Sequence, residues 1–331
     1  NPNGITINGG GFINTPKATL STGAPRFNGD AFQGLDVRRG DILVEGAGVN
    51  ANNIDAFELV TRAAQINADI HAKRLAVITG QNRHDPVSGT TTPLAPDGSA
   101  APAVSIDSSA LGGMYSGRIT LVGTEAGVGI NTRGIVQSTE HLEMTADGRI
   151  QVRGKASSAQ DLSLASTSGE VAVSGSVKAV GAASLTGATV RVAKADPADA
   201  PIVNADTVSI TAGALHNEEL IAADTTADIT ADDVANTGAV YSGGTAAFHV
   251  GGTLHNDHGT ILSKGDMVLE GPAAGQKMAT LRNDSGTIES LEGGVTIRAA
   301  ALNNAADGTV VNEAATLVPG SGKGGIYSYY G

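Results

Sequence analysis

The 331-residue chain contains no cysteine, which excludes disulfides and thiolate chemistry. It contains no tryptophan either, and aromatic residues make up only 3% of it. A core built without large rings has to be narrow and aliphatic. Charged residues are 16% of the chain, against about 25% in typical globular domains. The charge that is present sums to −12, so the Lys and Arg needed to neutralise phosphates or an anionic bilayer are scarce. No apolar run reaches the roughly 18 residues of a membrane helix. Neither nucleic-acid binding nor membrane insertion is expected. Hydrophobic content of 40% excludes bulk disorder.

Glycine, in contrast, is abundant, with 45 residues, and it punctuates short apolar runs. Two of these runs, LHNDHGTI (Leu254 to Ile261) and LRNDSGTI (Leu281 to Ile288), share six of eight letters. Leu-x-Asn or its variant recurs at Leu215, Val234, Leu254, Leu281 and Leu302, in steps of 19, 20, 27 and 21 residues. The long step holds GPAAGQKM (Gly271 to Met278), which suits a loop pushed out between strands. Between the signatures the letters alternate apolar and polar, as in LEMTA (Leu142), LSLAS (Leu162), VSITA (Val208) and VTIRA (Val295). Alternation by two is the strand signature, because successive side chains point to opposite faces. Short strands repeated about every 20 residues cannot bury a core alone, but stacked coils can. The pattern predicts an all-β, right-handed parallel β-helix with extra loops. Asn217, Asn236, Asn256, Asn283 and Asn304 are expected to stack as a structural ladder. The Ala-rich stretch 56–80 also permits a helix, although Phe57, Leu59, Ile66, Ala68, Ile70, Leu75 and Val77 keep the two-residue rhythm.

The start of the chain, NPNGITINGGGFINT, opens on a tight-turn tetrapeptide, Asn1, Pro2, Asn3 and Gly4. With GITINGGGFINTPKATLSTG behind it, it resembles the second Asn-Pro motif of two-partner secretion domains. These are the secretion modules of filamentous haemagglutinin and contact-dependent growth-inhibition exoproteins. NADIHAKRLAVITGQNRHD (Asn67 to Asp85), SIDSSALGGMYSGRITLVGTEAGVGINTRG (Ser105 to Gly134) and the later Leu-x-Asn-x-x-Gly-x-Ile repeats carry the same resemblance. The Cys pair of some members is replaced by Ile7 and Gly10, and the family's first Asn-Pro motif lies upstream of this one. The resemblance implies the later part of a secretion domain over residues 1–150 and a continuing haemagglutinin-repeat shaft over 151–331. It further implies a processed or excised piece of a large adhesin or inhibition protein, secreted to the bacterial cell surface. Its implied partners are a cognate outer-membrane transporter and a receptor on a host or bacterial cell.

The remaining motifs read mostly as architecture. Arg39, Gly40 and Asp41 spell a cell-attachment tripeptide, but turn chemistry between two strands explains them as well. PGSGKGG (Pro319 to Gly325) lacks the glycine and hydroxyl that a phosphate loop needs, leaving a Gly-rich connector in the tail 319–331. His255 and His258 flank Asp257 in a conceivable metal pocket, yet Ser285 replaces His258 in the next repeat, as at a solvent-facing position. No metal and no cofactor are expected. The enzymatic alternative is a polysaccharide-binding or pectate-lyase-like β-helix, which needs clustered carboxylates beside a base. Asp224, Asp228, Asp232 and Asp233 are the densest group, and no Lys or Arg stands between residues 195 and 263. No catalytic residue is therefore assigned. Residues 82–104, long and Pro-containing, are expected to protrude from the rod.

Overall fold

The computed structural model describes residues 1–306, 309–310 and 324–327, and among these there is no helix. The chain divides into two compact units, Asn1–Glu170 and Val171–Gly331. Each is a parallel β-solenoid.

In the first unit, Ile5–Gly11 lies parallel on Asp41–Ala51, which in turn lies on Ala63–Ile66 and Ile70–Thr79. The core consists of in-register columns of aliphatic side chains. Phe57, Leu75, Ile119, Leu142 and Leu162 stack in one column. Leu59, Val77, Leu121, Met144 and Leu164 stack two residues further along. All ten are buried. Fully burying such a side chain stabilises by about 1.5–3 kcal/mol. A one-residue slip would turn every column outward, so the register is strongly specified. The stretch 56–80 is three strands, Ala56–Thr61, Ala63–Ile66 and Ile70–Thr79. Tertiary stacking of β-branched and aromatic residues there overrides the helix propensity of its alanines.

Two coils depart from the period, the first where Leu59 follows its register partner Leu20 by 39 residues. Leu142 follows Ile119 by 23 residues and Leu162 follows Leu142 by 20, whereas Ile119 follows Leu75 by 44. The excess feeds an antiparallel sheet outside the solenoid. Its strands run in the order Thr91–Pro93, Asn82–His84, Ala31–Val37, Ala24–Asn28. The segment expected only to protrude is thus partly paired, through a hairpin some fifty residues earlier in the chain.

In the second unit the columns are as regular. Leu185, Ile210, Ile229, Phe248, Leu269 and Ile297 are in register. So are Val190, Leu215, Val234, Leu254, Leu281 and Leu302. Gly271 to Lys277 leaves this ladder as a small loop, one residue shorter than expected because Met278 is buried and already paired with Ala299. The loop is tied back where the Gly275 N–H donates to Glu270 Oε2 at 2.8 Å. Gly324–Tyr327 pairs antiparallel with Thr287–Ser290, so this part of the tail reverses direction instead of continuing the coils. The rest of the expected connector, 319–323 and 328–331, lies outside the described residues.

Candidate functional site

The opening turn and the Arg-Gly-Asp tripeptide, separate motifs in the sequence, are packed against each other. The Gly4 N–H donates to the Asn1 carbonyl at 3.1 Å, and the Asn3 N–H donates to Asn1 Oδ1 at 3.2 Å. Gly4 has φ +111°, a conformation glycine adopts without cost. Gly40 has φ +87°, and a Cβ there would stand 2.8 Å from the Pro2 carbonyl oxygen and 2.9 Å from Thr22 Cβ. The Gly40 carbonyl accepts from Thr61 Oγ1 at 2.8 Å and from the Arg62 N–H at 3.2 Å. Arg39 and Asp41 are exposed, but the residue between them is a stacking turn. Gly40→Ala is accordingly expected to lower the urea midpoint by the equivalent of about 1–3 kcal/mol. An unchanged midpoint would remove the steric reading.

Thr61 belongs to a column that sequence reasoning missed. Thr22, Thr61 and Thr79 are buried; Thr22 Oγ1 donates to Thr61 Oγ1 at 3.1 Å, and Thr61 is in register with Thr79. Thr124 Oγ1 then donates to the Thr79 carbonyl at 2.8 Å. The signal was a Thr closing each apolar run, in LST, LVT and VIT. This hydroxyl column supports the corner on which both turns sit.

Two charged clusters bind the outer sheet and its following segment to the solenoid. Glu58 is buried; Lys17 Nζ stands 2.6 Å from Oε1, and Thr19 Oγ1 donates to Oε2 at 2.8 Å. The wholly buried His84 places Nε2 3.6 Å from Glu58 Oε2 and bonds Thr91 Oγ1 through Nδ1 at 2.9 Å. Burial penalises the Glu58 charge, but His84, Lys17 and Thr19 more than offset it, and the carboxyl sits below its ordinary range. On the sheet itself, the Arg83 guanidinium grips Asp36 at 2.7 and 3.2 Å and holds its carboxyl low. The second cluster centres on Arg62, which donates to both Glu125 oxygens, at 3.2 and 2.7 Å, and to Ser99 Oγ at 2.6 Å. Gln81 Nε2 reaches Asp97 at 2.8 Å, which fastens the same segment again. At the tip of the hairpin, Phe27 and Phe32 meet edge-on with centroids 5.8 Å apart, and both are exposed.

In the second unit the five Asn side chains form one chain of hydrogen bonds. Asn217 donates to Asn236 at 2.8 Å, Asn236 to Asn256 at 2.7 Å, Asn256 to Asn283 at 2.7 Å and Asn283 to Asn304 at 2.9 Å. Each of the first four also donates to a turn carbonyl of its own coil, as Asn256 does to Gly259 at 2.9 Å. The carboxylates considered for catalysis do not converge with a base. Asp228 lies in register between Ser209 and Ala247, and Asp233 accepts the Thr253 N–H at 2.7 Å. His255 and Asp257 are joined by a residue that sequence spacing did not supply, Asp284 of the neighbouring coil.

Comparison with known proteins gives this architecture a context. Residues 1–152 match the model of the TPS secretion domain. Toxin CdiA of Yersinia pestis is 43% identical over 170 residues, which are 51% of this chain and 5% of that protein. The 16S rRNA endonuclease CdiA of Enterobacter cloacae subsp. cloacae is 39% identical over 190 residues, 57% of this chain and 6% of that protein. The chain therefore spans about a twentieth of the length of these curated relatives. The crystal structure of the filamentous hemagglutinin secretion domain superimposes with a TM-score of 0.44 at 29% identity, covering 70% of this chain and 65% of that one. Residues 1–152, most of the first unit, are thus similar to the TPS secretion domain, on a parallel solenoid that carries the Asn-Pro-Asn-Gly turn.

Proposed function

We propose that this segment is the export module and first shaft coils of a secreted bacterial exoprotein. In this reading it passes through a cognate outer-membrane transporter and serves adhesion or contact-dependent inhibition at the cell surface. The observation that carries the proposal is the TPS secretion domain match over residues 1–152. The fold supplies a physical companion. Each coil buries its apolar column only against the preceding coil, so a chain emerging outside the cell gains stability coil by coil and is hindered from sliding back. The role is structural and not enzymatic. The scattered carboxylates and the absence of Lys and Arg from 195 to 263 support that reading. The boundary near residue 150, with shaft repeats beyond it, belongs to the same proposal.

The test is co-expression of the complete exoprotein with its transporter, measuring the fraction released to the medium. Gly4→Val, which forces a branched side chain into φ +111°, is expected to cut release several-fold, and Asp41→Ala to leave it unchanged. Equal release from cells lacking the transporter overturns the proposal. Cell attachment by Asp41→Ala is expected to match the parent, because Arg39, Gly40 and Asp41 serve the turn. A loss of attachment with release intact would instead assign them to a receptor.

A further inference from the structure

Two imidazoles and two carboxylates meet at one coil junction of the second unit. Asp257 and Asp284 are register partners on adjacent strands, a spacing of about 4.8 Å. Like charges directly opposite on neighbouring strands are destabilising, so the pair needs a counter-charge. His255 Nε2 stands 2.8 Å from Asp284 Oδ2, and His258 Nδ1 stands 2.7 Å from Asp257 Oδ1. One ligand atom each of His255, Asp257 and Asp284 fall within 4.8 Å of one another. His258 is held in place by its backbone: its φ is +54°, and its N–H donates to the Asp284 carbonyl at 2.8 Å. The arrangement is not a by-product of the repeat. Ala235 and Thr237 occupy the equivalent places one coil earlier, and Asn303 and Ala305 follow two coils later.

We propose that this junction binds one divalent transition-metal ion of the zinc class, through His255, Asp257 and Asp284, with His258 hydrogen-bonded to Asp257 at its rim. Mixed imidazole and carboxylate donors suit Zn²⁺, Ni²⁺ or Cu²⁺, whereas Ca²⁺ and Mg²⁺ take oxygen sets. All four groups are partly exposed, so the ion enters from solvent without unfolding a coil. Arg282, whose Nε contacts Asp284, is the competitor that the ion displaces. Because His255 and Asp257 belong to one coil and Asp284 to the next, the ion is a staple between coils. Binding to the folded form alone raises stability by mass action.

The test uses the full chain and the metals alone. Zn²⁺ titrated calorimetrically is expected to bind with one equivalent, to raise the unfolding midpoint and to be reversed by chelator. Co²⁺ in its place is expected to give visible bands of a nitrogen- and oxygen-ligated ion, which millimolar Ca²⁺ does not remove. His255→Ala and Asp284→Asn should each weaken binding by at least about tenfold, while Arg282→Ala should strengthen it. Circular dichroism of each variant verifies that the coils persist. No stoichiometric binding, or equal affinity in His255→Ala, overturns the site. Displacement by Ca²⁺ overturns the metal class.

Discussion

Asn256→Asp is expected to be the most damaging single-atom change in the second unit. Asn256 is wholly buried, and its Nδ2 faces three acceptors: Asn283 Oδ1 at 2.7 Å, the Gly259 carbonyl at 2.9 Å and the Thr287 carbonyl at 3.3 Å. A carboxylate has no proton to give them and brings a buried charge without a partner. The cost is about 3–5 kcal/mol, read as a fall in the urea midpoint. Asn256→Ala removes the same bonds without adding charge and should cost about 2–3 kcal/mol, mainly for the bond lost from the Asn236 amide and the donor lost to the Asn283 oxygen. Asn304→Ala takes one acceptor from Asn283, a loss that by itself should cost about 1 kcal/mol. The sign of the pH dependence is set by burial. The introduced acid has a folded pKa above its unfolded value of about 3.9, so its protonated form, which can donate, is favoured in the fold. The gap between Asn256→Asp and Asn256→Ala should therefore narrow as pH falls toward about 4. A gap that widens on acidification would mean that the site is open to water.

How much of this was legible in the sequence depends on distance along the chain. The Leu-x-Asn steps of 19 to 27 residues already put Asn217 through Asn304 in one column, because each coil takes up about 20 residues once the extra loop is set aside. Core columns such as Leu142 on Leu162 follow from the same arithmetic. The threonine column was hidden by unequal steps: Thr22, Thr61, Thr79 and Thr124 are 39, 18 and 45 residues apart, since the outer sheet interrupts the count. The outer hairpin did leave a local sign, Asn28-Gly29-Asp30 between two apolar-bearing runs, with Gly29 at φ +60°. Its pairing with Asn82–His84 left none, because antiparallel register across fifty residues has no period to reveal it. Asp284 joins His255 for a related reason. The sequence displays His255, Asp257 and His258 as neighbours, but the ligand that completes the group is brought by stacking.

Arg62→Met is the counterpart of the Asn256 experiment in the first unit. Arg62 and Glu125 are both mostly shielded, and the bidentate pair holds the guanidinium's pKa above its ordinary value. Removing the arginine leaves the Glu125 carboxylate half-buried and alone, at a cost of about 3–5 kcal/mol. Arg62→Met with Glu125→Leu removes both charges and is expected to recover most of that loss, because a hydrophobic pair can replace an ion pair of similar volume. Attachment of the outer segment should not recover. Ser99 Oγ and the Ser99 carbonyl both depend on Arg62, leaving Gln81 with Asp97 and Ser99, and Arg38 with the Ala95 carbonyl. Elastase, which cuts after small residues, should therefore cleave within 94–104 several-fold faster in the single and the double variant alike. Stability and segment attachment are thereby separated: urea reports the first, proteolysis the second. Acid acts on the remaining tether last. Hydrogen bonds from the Ser99 side chain and backbone, and then from Gln81, hold the Asp97 carboxyl well below the usual carboxylate range. Its contribution is therefore complete above the unfolded pKa and is lost only as pH falls through the depressed folded value. Cleavage of the double variant that was no faster than that of the parent would show that Gln81 and Arg38 suffice to hold the segment, and that the charge pair serves only the solenoid corner.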